Sequence, residues 1–324
     1  MVLLQDLTSF AAKPLCIMFP VCFKGWKLAA DAFSKEKKGY CRKQQYKIFF
    51  HTFMSPLFAK KWFAILFSPQ YKQIAAQRPR LYIKPFRVYL SGRWNKQQRM
   101  KVILDTYNFI NTYKIPFTQG ITVGSFALKD GYTASVVLGY DERYRKEGEL
   151  VLFFECEQLG GKISAASFSF ELDNSKQWIC RIGCVQGYKT GDENLAKTAQ
   201  KLLYGLRPKS LMVFLTHEFV RSLGVVTVYG AGQSIQAFNR KHFIHIPLLH
   251  TISQDYNNIW LEAGGELQKD GWFKLPLASK RKTLEEIKSH KRALYKRRYE
   301  MMDNIAGEIS KSIQKWHNFP HTNK

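Results

Sequence analysis

Between Gly120 and Gly187 apolar residues return at every second position in four successive stretches, residues 133–139, 150–158, 165–172 and 177–185, with Gly, Asp and Asn between them. A period of two is the spacing of a strand that buries one face. The connections, such as Asp173-Asn174-Ser175-Lys176, are too short for a crossover, so neighbouring strands are expected to pair antiparallel as a meander. Residues 208–223 then place Leu211, Phe214, Leu215, Phe219 and Leu223 on one face of a helix. Pro208 stands in its first turn and Gly224 just beyond its end, which is the usual asymmetry of helix termini. Residues 225–232 read as a further strand closing in a glycine-rich bend. Strands, one helix and a strand make an α+β core on a mainly antiparallel sheet.

The flanks are helical. Residues 1–115 read as a basic helical region packed on that core, cut into short helices by Pro56, Pro69, Pro79 and Pro85. Residues 116–280 form the α+β domain, and residues 281–324 a long amphipathic helix and tail. That helix is expected to open with the capping box Thr283-Leu284-Glu285-Glu286 and to bury Ile287, Leu294, Met301, Ile305, Ile309, Ile313 and Trp316. Its other face carries Lys291, Arg292, Lys296, Arg297 and Arg298.

Charge narrows the partners. The chain of 324 residues carries 50 Lys and Arg against 25 Asp and Glu, a net +25. Residues 1–110 hold 20 of those bases and 4 acids, leaving +16 in the first third. A field of that sign selects anionic partners. Around Lys60 and Lys61 the bases interleave with Phe, Tyr and Trp, as they do where a helix meets anionic lipid headgroups. Core aromatics beside solvated lysines give the same pattern. RNA is an alternative partner, since phosphates attract the same charge and aromatics stack on unpaired bases; no RNA-binding signature accompanies it.

The start Met1-Val2-Leu3-Leu4-Gln5-Asp6 lacks a basic n-region, and the apolar run of residues 14–23 falls short of the roughly 20 residues of a bilayer span. A cytoplasmic protein, peripheral at most on the inner membrane, is expected. The six cysteines fit buried, reduced thiols; Cys180 and Cys184 are four apart, but no second pair stands at zinc-ligand spacing. His217-Glu218-Phe219-Val220-Arg221 misses a zinc-binding H-E-x-x-H because Arg221 occupies the second ligand position. His242, His245 and His250 cluster loosely and read as surface residues. No metal is expected.

Two places could carry chemistry. The turn Gly205-Leu206-Arg207-Pro208-Lys209-Ser210 enters a helix N-terminus, where backbone N–H groups, the helix dipole and two fixed charges favour an anion. The second is the aromatic-acid cluster Asp255-Tyr256, Trp260, Glu262, Gly264-Gly265 and Gly271-Trp272, expected to line a cleft to which the family resemblance described below adds Gln186 and Gly187. There Glu262, between an aromatic residue and a glycine pair, could act as a general base if partly desolvated. The plainer alternative makes Glu262 an ion-pair partner and the tryptophans core.

The segments Asp255-Tyr256, Trp260-Leu261-Glu262-Ala263-Gly264-Gly265, Gly271-Trp272-Phe273-Lys274-Leu275-Pro276 and His290 to Tyr299 closely resemble the signature of the VirK/YbjX family of Gram-negative bacteria. Pro79-Arg80-Leu81-Tyr82, Gly160-Gly161-Lys162-Ile163-Ser164, Ser167 to Phe170, Gln186-Gly187 and Gly205 to Lys209 extend the similarity from about residue 45 to about residue 305. The resemblance implies a virulence-associated factor supporting envelope or lipid A modification and resistance to cationic antimicrobial peptides. It brings no catalytic residue. A basic RNA-binding regulator of a virulence surface protein, or a chaperone-like adaptor for secretion of such a protein, are the alternatives.

The order meander, loop, helix, strand also resembles the core of the GNAT acyltransferases, which hold the pyrophosphate of acyl-CoA at such a helix start. If the protein is an enzyme, acyl-CoA or acyl carrier protein is therefore the donor this arrangement suggests. The glycine-rich Q/R-x-x-G-x-G/A loop of that group is absent, and Pro208 removes one of the N–H groups it would use.

Overall fold

The computed structural model describes residues 20–116, 119–187, 193–237, 255–278 and 281–317. The histidine cluster at residues 242–250 lies outside them. The chain divides into two compact units, Met1–Val88 and Tyr89–Lys324.

The first unit is helical, as expected: α1 (residues 20–32), α2 (Lys38–Met54), α3 (Pro56–Leu66), α4 (Pro69–Gln77) and a 3-10 segment, Pro79–Phe86. Proline opens α3, α4 and the 3-10 segment, a position where the missing N–H costs nothing. Trp62 and Phe63 fill the core, and the Trp62 indole N–H donates to the carbonyls of Leu81 (3.1 Å) and Tyr82 (3.2 Å), fastening α3 to the 3-10 segment.

The second unit is built on one eight-stranded sheet of order β1-β2-β3-β4-β5-β6-β8-β7. The strands are β1 (Ile121–Ala127), β2 (Thr133–Gly139), β3 (Leu150–Cys156), β4 (Gly161–Leu172), β5 (Trp178–Gly187), β6 (Thr227–Ala231), β7 (Glu266–Leu267) and β8 (Trp272–Leu275). Each neighbouring pair in this order is antiparallel except β5 with β6. The helices are α5 (Lys96–Thr112), α6 (Glu193–Leu202), α7 (Pro208–Ser222), α8 (Tyr256–Glu262) and α9 (Arg292–His317). The α+β class and the mainly antiparallel sheet are as expected.

The structure adds to the sequence expectation in four places. The second compact unit starts at Tyr89, and α5 packs on β4 of its sheet. Opposite β3, β4 is paired only as far as Phe168, and α5 takes over its backbone beyond. Thr106 Oγ1 accepts from Phe170 N at 2.9 Å and Asp105 Oδ2 accepts from Leu172 N at 3.0 Å. The Phe109 and Phe170 rings stack with centroids 3.7 Å apart.

The last helix packs on the sheet and on α7: Ile305 and Ile309 lie against Gly124 of β1 and Trp316 meets Phe219 of α7. That helix also starts later than expected, at Arg292. Glu286 does accept from Thr283 N at 2.8 Å, half of a capping box, but the chain turns there to bury Ile287. Finally, α7 is buried all round over residues 211–220 rather than on one face, because it lies between β3, β4 and β5 on one side and α9 on another.

Candidate functional site

The one parallel pair does not stay paired. The β5–β6 ladder runs from Ile179 opposite Thr227 to Ile182 opposite Gly230 and stops, while β5 continues to Gly187. Past Ala231 the chain leaves β6 through Gly232 into a 3-10 turn. Gln236, buried, holds the fork: its side-chain N–H group donates to Gly183 O of β5 (3.1 Å) and to Ala231 O of β6 (3.0 Å). The Trp260 indole donates to the same Ala231 carbonyl at 2.9 Å. Its ring lies where a side chain at Gly230 would stand, 2.5 Å from the position of a Cβ.

A second strip of backbone crosses the sheet to reach this fork. Residues 147–148 pass over β4 and β5, and two glycines make the passage. A Cβ on Gly148 would sit 2.5 Å from Phe168 N, and one on Gly183 1.9 Å from Glu147 O. Gly183 falls where the β4–β5 register shifts, from Ser167 opposite Cys184 to Phe168 opposite Ile182. The crossing delivers Glu147 into the interior at 1% exposure. Among the described residues neither carboxylate oxygen has a hydrogen-bond partner. Burial raises its pKa from 4.5 to about 8, against smaller opposing pulls from Lys146 and Arg145 and from the backbone N–H groups of Glu147 and Lys146, which lie near the carboxylate without making a hydrogen bond to it. Two residues on, Glu149 is equally buried but differently served, accepting from the Tyr107 hydroxyl at 2.7 Å.

Around Glu147 stand Cys184, Tyr256 and Gln186. Burial, and next the nearby Glu147, push the Cys184 thiol well above its ordinary range, so it rests protonated and is no thiolate nucleophile. Burial raises the Tyr256 hydroxyl too, followed by the neighbouring Cys184 and Glu147, while a hydrogen bond with Gln186 works the other way. Tyr256 opens α8, whose start is tied to the fork: Gln233 N donates to Asn257 Oδ1 (2.8 Å), and Tyr256 N to Gln233 Oε1 (3.2 Å). A buried carboxyl lacking partners, a phenol that keeps its proton and an amide thus share one fork in the sheet. A carboxyl with its pKa near neutrality can take a proton from an incoming nucleophile.

The cleft residues named from sequence fall into two groups. Gln186 and Tyr256 lie at the fork. Asp255 caps α8 by accepting from Asn258 N at 3.1 Å. Trp260 and Trp272 are core, Trp272 sharing the Arg181 guanidinium with Trp94 and Tyr229. A Cβ on Gly187 would meet nothing within 4 Å. Glu262 is exposed and holds Arg207, whose Nη1 lies 2.8 Å from Oε1 and 3.1 Å from Oε2. The two sequence candidates therefore meet each other across the start of α7 and the end of α8.

At the turn itself, Gly205, at φ +78°, gives its N–H to Gln200 O and closes α6. Arg298 Nη2 reaches the Tyr204 carbonyl at 2.6 Å. Lys209 is half-buried, and burial lowers its pKa; Ser210 follows it in the first turn of α7. That helix leads into β6, which runs parallel to β5, so its first turn points back toward the end where the strands part. Lys60 and Lys61 are exposed on α3, and Lys291, Arg292, Lys296 and Arg297 on or beside α9. Four described cysteines, Cys22, Cys156, Cys180 and Cys184, are buried free thiols. His217 is buried, its pKa lowered to about 4 by desolvation, while Glu218 pairs with Arg221. No group of metal ligands occurs among the described residues.

Sequence reasoning missed Glu147. The available signal was the tripeptide Glu147-Gly148-Glu149 directly before the apolar strand Leu150–Phe154, two acids where only a covered backbone follows.

The family model described as a protein of unknown function, DUF535, matches residues 37–311. YbjX of Escherichia coli strain K12, an uncharacterized protein, is 24% identical over 295 residues, covering 84% of this chain and 87% of YbjX. An uncharacterized protein of Haemophilus influenzae is 38% identical over 133 residues, 41% of this chain and 43% of its own length. A second from that organism is 30% identical over 153 residues, 46% and 47% of the two chains. The chain thus spans less than half the length of the two Haemophilus relatives in these matches. No solved structure matches. With the match running from the second helix to the last, the chain belongs to the DUF535 family, the VirK/YbjX family.

Proposed function

We propose that the protein transfers an acyl group from a thioester to an amine or hydroxyl acceptor at the fork between β5 and β6. The observation that carries this is Glu147, a buried carboxyl with no hydrogen-bond partner among the described residues, set where two parallel strands separate. An unsatisfied buried carboxyl costs stability, and an acceptor bearing N–H or O–H supplies what it lacks. Beyond Ile182, β5 continues without β6 beside it, and an extended chain bearing amides, such as the pantetheine arm of acyl-CoA or acyl carrier protein, can lie along a strand edge. The first turn of α7, with Arg207, Lys209 and Ser210, would take the donor's phosphates by charge and helix dipole.

In the reaction Glu147 removes a proton from the acceptor as its lone pair attacks the thioester carbonyl carbon. The tetrahedral intermediate collapses with cleavage of the C–S bond, Tyr256, still protonated, gives its proton to the departing thiolate, and the proton taken up by Glu147 passes back to the Tyr256 phenolate, restoring both groups. The Gln186 amide is placed to hold that phenol. This sequence is that of a GNAT-like acyltransferase, and the order meander, helices, parallel strand, antiparallel hairpin supports the analogy. Its setting, following the family resemblance, is envelope or lipid A modification that lends resistance to cationic antimicrobial peptides.

The test combines thermal stabilisation by acyl-CoA and acyl carrier protein with transfer of labelled acyl groups to an amine panel. Stabilisation by a thioester, with turnover lost in Glu147→Gln while the thioester still binds, is the expected result. No thioester stabilising the protein at saturating concentration, or full turnover in Glu147→Gln, would overturn the reading.

A further inference from the structure

Helix α2 is built inside out. Its buried residues are Gln44, Ile48 and Thr52, two polar residues of three, at steps of four along one side. The opposite side, again at steps of four, carries Tyr46, Phe50 and Met54, which are 61%, 59% and 61% exposed. Phe53 joins the stripe and Leu57, 65% exposed at the start of α3, extends it. The ring of Tyr46 is steadied from below by Trp26 of α1, edge-on at 5.1 Å. Exposed single apolar side chains need no explanation, but a continuous stripe rimmed by polar groups marks a surface made to be covered.

The rim says what covers it. Arg42, Lys43, Lys60 and Lys61 are exposed around the stripe, and residues 37–88 contain not one Asp or Glu. An RNA would supply phosphates for the bases but no hydrocarbon for Met54 and Leu57. A second copy of the unit would bring positive charge against positive charge. A bilayer with anionic headgroups offers both layers in the needed order, phosphate above hydrocarbon, to a helix lying in the interface. We infer that the outward face of α2 and the start of α3 dock the protein on an anionic lipid surface, with Tyr46, Phe50, Phe53, Met54 and Leu57 entering the headgroup–acyl boundary. This stands independently of the acyl-transfer reading.

The experiment is flotation of the full chain with vesicles of phosphatidylglycerol and phosphatidylethanolamine, and with vesicles of phosphatidylcholine alone. The wild type and the double variant Phe50→Ser/Met54→Ser are compared over a salt series. Both substituted positions are exposed, so the fold persists, and circular dichroism verifies it. Binding only to the anionic vesicles, weakened by salt, and on the order of tenfold or more weaker in the double variant, is the expected result. Binding equal in the variant, or none to anionic vesicles, overturns the inference. So does self-association or RNA binding that the double substitution abolishes while lipid binding is absent. Transfer to a water-soluble acceptor is measured alongside, and its loss would bear on the acyl-transfer reading alone.

Discussion

Glu147 is held in the interior by a backbone crossing that only glycine permits, which makes two substitutions informative. Its pKa is raised in the folded protein, so the folded state keeps a proton that the unfolded state gives up. Between pH 4.5 and about 8 the unfolded chain binds fewer protons, and stability therefore falls as pH rises through that window. The displacement corresponds to on the order of 5 kcal/mol once the group is fully ionised. Glu147→Gln removes the ionisation, so its melting temperature should fall much less than the wild type's between pH 6 and pH 9, as calorimetry at both pH values would show. An equal fall in the two proteins would mean Glu147 is already ionised and paired. Gly183→Ala should instead destabilise at every pH, by about 2 kcal/mol or more, because its methyl would meet the Glu147 carbonyl at 1.9 Å. Denaturant midpoints measure that loss.

At the scale of elements, the join between α5 and β4 includes a buried hydroxyl beside the Asp105–Leu172 hydrogen bond and the Phe109–Phe170 stack. Thr106 Oγ1 lies 2.9 Å from Phe170 N and 3.0 Å from Phe170 O, serving backbone that β3 does not reach. Thr106→Val keeps the shape and strands a buried N–H, which costs about 1–3 kcal/mol; Thr106→Ser should recover most of that in urea unfolding, and equal losses in the two variants would assign the cost to packing. Such a contact is invisible in the sequence. The strand alternation from residue 133 to 185 and the proline-to-glycine helix at 208–222 were legible, because each is encoded by spacing within one segment and matched the observed elements within a few residues. β1, with Gly124 pressed by Ile305 and Ile309, breaks its alternation where its pairing with β2 shifts register between Thr122 and Gly124, and so does not announce itself. α5 reads as one more amphipathic helix of the N-terminal region, and only its partner assigns it to the sheet. Within the site, Gln186 entered through the family resemblance and Tyr256 through the aromatic-acid cluster, but the fork beside which both lie depends on where β6 stops pairing, a fact of register between distant segments.

The whole chain carries two cores, and their independence is measurable. Trp62, fully buried in the unit Met1–Val88, donates only within that unit, to Leu81 and Tyr82. Trp260, fully buried in the unit Tyr89–Lys324, fills the space over Gly230 and holds the Ala231 carbonyl. Truncating either to alanine costs about 3–5 kcal/mol in its own core. In a unit of this size that lowers the local transition by roughly 10 °C or more. Separate cores unfold in separate transitions, and a large change in one leaves the other in place. Calorimetry of the full chain should therefore show Trp62→Ala moving one transition and Trp260→Ala the other. Since the fork, Glu147 and Tyr256 all belong to the second unit, acyl-CoA should raise the transition that Trp260→Ala lowers and leave the Trp62-sensitive one unmoved. A single transition shifted by both substitutions would join the two units into one cooperative structure, and the basic helices would then share the energetics of the site.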